Sequence, residues 1–438
     1  MATSLQRGIR SFVEQIDAPV AAFFTSCVHC GLCADACLFY TETQDPQYTP
    51  IHKLAPLRRV WRQEYTFWGR LLAKLGFHKP VTDEELAAWE PLVYDSCTLC
   101  GRCSLACPVG NDIVYMVRKM REGMVASGHA PEGLQGATQR AVEHGSPMGV
   151  TFGTLQAHIR HTEKETGLTV PLDVEGADYM LVLSSAEVAE YSEIVTAVTR
   201  IFHQAGVSWT IASDGFEGTN SGIQIGSSDL AAELLGRIVR AAERLKVKYV
   251  ISPECGHAYT ALRWEGPNLI GRPYPFQVIH IIELLDQLRR EGRLRTAGVD
   301  ETRMTFHDPC QMVRRGGVVD EPRRLLNMVA PNFVEMPDAG VQNWCCGGGG
   351  GVAANGRADA LRLRVFSRKK AQLDATGATT IVTSCSNCRS MLLDGLEHNH
   401  MPHEVVGLTE LIAEYLAPEE GDKEKLNRPP VHGELVEP

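Results

Sequence analysis

The chain has 438 residues, 44% of them hydrophobic, and a formal charge of −10. That length accommodates two or three domains with cores of their own. No apolar run reaches the length of a bilayer span, and no basic face dominates to suggest a nucleic-acid partner.

The opening stretch, MATSLQRGIRSFVEQIDAP, has no cationic segment followed by an apolar one, so a cytoplasmic, reducing setting is expected. Disulfides rarely persist there, and the fourteen cysteines point instead to metal or redox chemistry. Residues 1–130 hold two of the cysteine patterns. Cys27, Cys30, Cys33 and Cys37 follow the spacing C-x2-C-x2-C-x3-C, and Cys97, Cys100, Cys103 and Cys107 repeat it. In two-cluster ferredoxins the fourth cysteine of each run ligates the other cluster. The expectation is therefore one cubane [4Fe-4S] cluster on Cys27, Cys30, Cys33 and Cys107, and a second on Cys97, Cys100, Cys103 and Cys37. Structural zinc, the competing reading, prefers two separated Cys-x2-Cys pairs. Leu38 departs from the pattern, standing where a proline usually follows the fourth cysteine. Between the runs, Leu54, Leu57, Trp61, Trp68, Leu71, Leu72 and Leu75 recur at helical spacing. A core-facing stripe with a solvated cationic face is expected, in preference to a surface that docks on a membrane subunit or lipid.

Residues 131–175, rich in Gly, His and Thr, read as a linker. Residues 176–290 and 303–417 then repeat one order of elements. In the first, the strands DYMLVLSS, VSWTIA and VKYVIS alternate with helices; in the second, TRMTFHDPC, NFVEM and TTIVTSCSNC do the same. Strands alternating with helices imply α/β units with mainly parallel sheets, whose sites lie beyond the carboxyl ends of the strands. Residues 418–438 are charged and read as a mobile tail. The expected architecture is thus a helical, ferredoxin-like N-terminal domain followed by two duplicated α/β units.

The second unit carries Cys310, the doublet Cys345-Cys346 ahead of five glycines, and Cys385 with Cys388. Each falls after a strand, so all five can converge at one sheet edge. Adjacent thiolates do not suit a single tetrahedral zinc, but they can serve different irons of a larger cluster. The glycines clear bulk and expose backbone N–H groups. This pattern resembles the CCG cysteine-rich domain of heterodisulfide reductases, and the resemblance implies a noncubane [4Fe-4S] cluster on these five cysteines. The whole layout is similar to the D-type iron–sulfur subunit of heterodisulfide reductases and to the DsrK-type subunits.

The first unit departs from the two-cluster pattern: Ser184-Ser185 and Asp214-Gly215 replace cysteines, and only Cys255 remains, within ECGHA. One noncubane cluster is therefore expected. Cys255 and His257 become candidate catalytic groups, the first as a free thiol, the second as a proton donor near neutral pH. A backbone-satisfying role is expected for His307, and a solvated pair for Arg314 and Arg315. The resemblance implies an iron–sulfur oxidoreductase acting on a disulfide, trisulfide or dithiol, on a small molecule or a sulfur-carrier protein. Its partners would be other subunits of a redox complex: a membrane cytochrome, a flavoprotein or a related subunit that holds it at the inner face of the membrane. The competing reading is an electron relay for a flavin-dependent hydroxy-acid or glycerol-3-phosphate oxidoreductase.

Overall fold

Helices alone build the N-terminal part of the chain, whose computed structural model describes residues 3–77 and 80–418. All but the first residue of the tail expected over 418–438 lies outside the described residues. The two cysteine runs share one backbone. His29 and Leu99 both take a φ of 56°, Gly31 and Gly101 follow at 87° and 81°, and each glycine precedes a short helix, Leu32–Asp35 or Arg102–Leu105. Those two helices pack on each other, and helix Ser4–Glu14 lies along Ile113–Ser127.

The apolar stripe between the runs divides. Leu54 and Leu57 are buried, but Trp68, Leu71, Leu72 and Leu75 are exposed, contrary to the core-facing expectation. Thr66 is the cause: its backbone is extended and its side chain accepts from the Gly69 N–H. The helix Ala55–Tyr65 therefore ends there, and Phe67–Lys74 starts on a new axis.

Residues 131–175 are not a bare linker. They carry the helices Glu132–His144 and Phe152–Thr166, which pack against the first α/β unit. Two of the glycines behind the linker reading, Gly145 and Gly167, are left-handed ends of these helices.

The first sheet contains β1 (Tyr179–Leu181), β2 (Trp209–Ile211), β3 (Tyr249–Ser252) and β4 (Gln277–His280), all parallel in the order β2-β1-β3-β4. The second contains β5 (Met304–His307), β6 (Thr380–Thr383) and β7 (Glu404–Gly407), parallel in the order β5-β6-β7. NFVEM contributes only a parallel bridge from Val334 to Thr305, where β2 flanks β1 in the other sheet. The central strands are almost wholly buried, as sheets covered by helices on both faces require. One apolar core runs beneath both sheets, joining Ile251 and Leu285 to Phe306, Val382 and Leu411. The sheets meet at the carboxyl ends of their strands, where the Ser386 N–H donates to the Glu254 carbonyl at 2.9 Å and the Ser184 and Ser386 hydroxyls lie 2.9 Å apart.

Candidate iron–sulfur site

The thiols of the two N-terminal runs mix. Burial raises the Cys33 thiol to about 11, and the thiols of Cys27, Cys30 and Cys107 around it add to the shift. Cys103 is pushed well up by burial, then by Cys100, Cys37 and Cys97. Cys37, Cys97, Cys100 and Cys103 line one small apolar cavity with Lys53. Cys30, in contrast, is exposed.

Two buried cations adjoin the second group. Lys53 Nζ lies 4.0 Å from Cys37 Sγ and donates to the Ser96 carbonyl. Arg121 is fully buried and donates to the carbonyls of Val93, Cys97, Gln224 and Gly350. Neither is in an ion pair among the described residues. A buried charge without a counter-charge costs several kcal/mol. A thiolate-bound iron–sulfur cluster is an anion of the required sign, so donor set and surroundings both fit one here.

The five cysteines of the second unit are buried together with Leu38, Phe39, Trp344 and Met391. Cys310 Sγ lies 3.9 Å from Cys345 Sγ, and the Gly347 N–H donates to Cys345 Sγ at 3.4 Å. Cys345, then burial, pushes the thiol of Cys100 in the second run well up. Cys346 sits between Cys345 and Cys388, whose hydrogen bonds hold its thiol well below the usual range. Cys388 beside it likewise lowers the Cys385 thiol, against burial.

His307 does not serve the backbone. It is 1% exposed, neither ring nitrogen has a hydrogen-bond partner among the described residues, and its ligand atom lies within 4.8 Å of the Cys346 and Cys388 sulfurs. Lys369, also buried, bonds Gln372 Oε1; burial lowers it to about 8, against the opposing influence of Cys346 and Asp308. Arg314 is no solvated side chain either: it donates to the carbonyls of Cys100, Val341 and Asn343, tying the second cysteine run to the doublet.

The glycine run threads between domains. A Cβ on Gly348 would fall 2.3 Å from Met391 Cγ, and one on Gly350, where φ is +62°, 2.7 Å from the Thr98 carbonyl carbon. The Gly350 N–H donates to His257 Nε2 at 3.2 Å. Residues 348–351 form one wall of a cavity of about 420 Å3, which Ser184, Cys255, His257, Ser386 and Arg140 also line. Cys255 follows β3 as Cys385 follows β6, with the same extended backbone, and burial pushes its thiol well up, with Cys385 nearby adding to the shift. His257 is held at about 4 by burial, then by Arg315 and Arg121, so it is neutral near pH 7.

Sequence reasoning missed three buried carboxylates beside this cavity. Glu187 accepts from the N–H groups of Ser184 and Glu254, Glu217 from Ser185 and Thr219, and Glu254 from Thr409. Burial raises Glu187 and Glu217 to about 7 and Glu254 to about 8. A signal existed for Glu187, because Ser184-Ser185-Ala186-Glu187 is a capping box. Nothing comparable marks Arg121 among its neighbours.

Family comparison agrees with this layout. The profile of the 4Fe-4S dicluster domain matches residues 24–111, and that of the CCG cysteine-rich domain matches 304–393. The chain is similar to heterodisulfide-reductase iron–sulfur subunits. It is 29% identical to the Hdr-like menaquinol oxidoreductase iron-sulfur subunit 2 of Archaeoglobus fulgidus, over 90% of this chain and 80% of that one. Identity to the D-type subunit of the dihydromethanophenazine:CoB–CoM heterodisulfide reductase of Methanosarcina acetivorans is 28%, over 89% and 93%. The EtfAB:quinone oxidoreductase of Syntrophomonas wolfei is 26% identical over 85% of this chain, which spans 55% of that protein. Among the described residues, no helix is long and apolar enough to cross a membrane.

Proposed function

We propose that the chain is the catalytic iron–sulfur subunit of a heterodisulfide-reductase-like complex, with two cubane clusters on the crossed quartets and one noncubane cluster on Cys310, Cys345, Cys346, Cys385 and Cys388. Its substrate is a disulfide, trisulfide or dithiol, free or carried on a small protein. When bound, the clusters supply one-electron transfer. The overall conversion, disulfide plus two electrons and two protons to two thiols, runs in the direction set by relative potentials.

The observation that carries this reading is the cavity of about 420 Å3 that reaches the glycine wall beside the cysteine doublet and is lined by Cys255. A pure relay has no need of a substrate-sized opening there. The chain's own groups divide the remaining work. Gly347 and its neighbours offer N–H groups to sulfur. His257, neutral and bonded to Gly350, holds the loop in register and is no proton donor near pH 7. Cys255 presents a protonated thiol at the cavity wall, and Glu187, Glu217 and Glu254 keep protons available near neutral pH.

The second reading, a relay subunit of a flavin-dependent oxidoreductase, is favoured by the EtfAB:quinone oxidoreductase relative. Purified protein given a chemical electron donor separates the two. Reduction of a small disulfide, lost in Cys345→Ser while cubane paramagnetic signals persist, is the expected result. Intact clusters with no disulfide reduction would instead make the chain a relay.

A further inference from the structure

Phe67, Trp68, Leu75 and Phe77 are 74%, 70%, 58% and 78% exposed, and Leu71 and Leu72 lie open beside them. A 3.6-residue turn sets the five of these within 67–75 on one side of helix Phe67–Lys74, with Arg70 and Lys74 along its margin. Between residues 56 and 77 stand five cations and one acid, in a chain whose net charge is −10. Arg62, Arg70 and Lys74 are exposed, and none is in an ion pair among the described residues. The adjoining helix Ala55–Tyr65 reaches the first cysteine run, its Trp61 ring 5.4 Å from that of Phe24, and there Val28 is 70% exposed and Cys30 is open.

We propose that this face binds directly to an anionic lipid surface. Aromatic rings and leucines enter the headgroup boundary while flanking cations meet lipid phosphates. The sign of the charge picks out the occupant. On a chain of net charge −10, exposed cations that no acid pairs, set beside an apolar face, fix orientation as well as attachment. Docked this way, the exposed edge at Cys30 lies close to the membrane.

Holoprotein co-sedimentation with vesicles tests it. Protein should pellet with phosphatidylcholine vesicles that contain phosphatidylglycerol, stay in solution with phosphatidylcholine alone, and detach at about 1 M salt, where screening shortens to about 3 Å. Replacing both Phe67→Ser and Trp68→Ser should cut partition about tenfold or more, as loss of two large apolar groups requires, with iron content unchanged. Arg70→Glu with Lys74→Glu should do the same without touching an apolar residue. No pelleting with either vesicle overturns the proposal. So does undiminished binding by both variants, or pelleting only when vesicles carry an integral membrane protein, which would make the face a protein interface.

A different observation carries a second inference, which rests on the reading that the five cysteines hold a cluster. His307 is wholly buried, has two unpartnered ring nitrogens and faces Cys346 and Cys388. We infer that it donates an N–H hydrogen bond to thiolate sulfur at this site and raises the reduction potential there. Pulse electron paramagnetic resonance on 15N-histidine protein treated with a small thiol should detect weak nitrogen coupling to a thiol-dependent signal, one that Cys345→Ser lacks. In His307→Phe that coupling should vanish and the midpoint potential fall, with iron content unchanged. Should the phenylalanine variant lose the cluster, His307→Gln keeps an N–H donor and should hold the potential near the parent value without the coupling. Coupling that survives in the variants, or an unmoved potential in His307→Phe, contradicts the inference. A parent with no thiol-dependent signal contradicts the cluster reading itself.

Discussion

Lys53, Arg121 and Lys369 carry positive charge into the interior without a carboxylate partner among the described residues, each beside cysteines. Arg121 binds four carbonyls from three parts of the chain, so its removal strands all four acceptors. Arg121→Met should destabilise the protein by about 3–5 kcal/mol and deplete iron at the Cys97 quartet; a melting temperature unchanged from the parent would deny it that role. The buried carboxylates make a prediction of opposite electrostatic sense. Glu254, at about 8 in the fold against an ordinary 4.5, holds a proton that the unfolded chain has released. Its contribution is therefore complete below about pH 4.5 and is lost as pH rises through 8. Melting temperature should fall between pH 6 and 9, and Glu254→Gln should flatten that slope; equal slopes would contradict the assignment. At this scale the clustering of the cysteines was legible because their spacing is written in the sequence. The buried cations were not, since Arg121 sits in the ordinary amphipathic run IVYMVRKMREGMV.

Among elements, those with a continuous β-branched or apolar run, such as β3 and β6, were readable as strands. The strands β4 and β7 were not, because QVIH and EVVG lead straight into apolar helices and the change of period falls within a few residues. Helical spacing likewise continues across Thr66 although the helix does not, which is why half of a core-facing stripe proved to be surface. The glycine run is an element of its own kind. Its expected closeness to inorganic sulfur is joined by a demand of packing, since Gly350 combines a left-handed backbone with a tight approach to Thr98. Gly350→Ala should cost about 1–3 kcal/mol and disturb both the cavity wall and the second cysteine run. A variant with parental stability and absorbance would show that the loop tolerates side chains there.

On the scale of the whole molecule, two parallel sheets joined through one core bring the ends of β3, β5 and β6 face to face. The first unit, with Cys255 as its single cysteine, supplies that thiol, His257 and part of the cavity wall, and its Glu254 carbonyl accepts from Ser386 beside Cys385. The nearness of Cys100 to Cys345 sets the second quartet beside the five cysteines of the second unit. Iron counted per chain in anaerobically purified protein tests this arrangement most directly. Three four-iron clusters give about twelve irons, falling to about eight in a variant carrying both Cys345→Ser and Cys346→Ser, with cubane signals intact. About eight in the parent, unchanged in that variant, would mean that the five converging thiols hold no cluster.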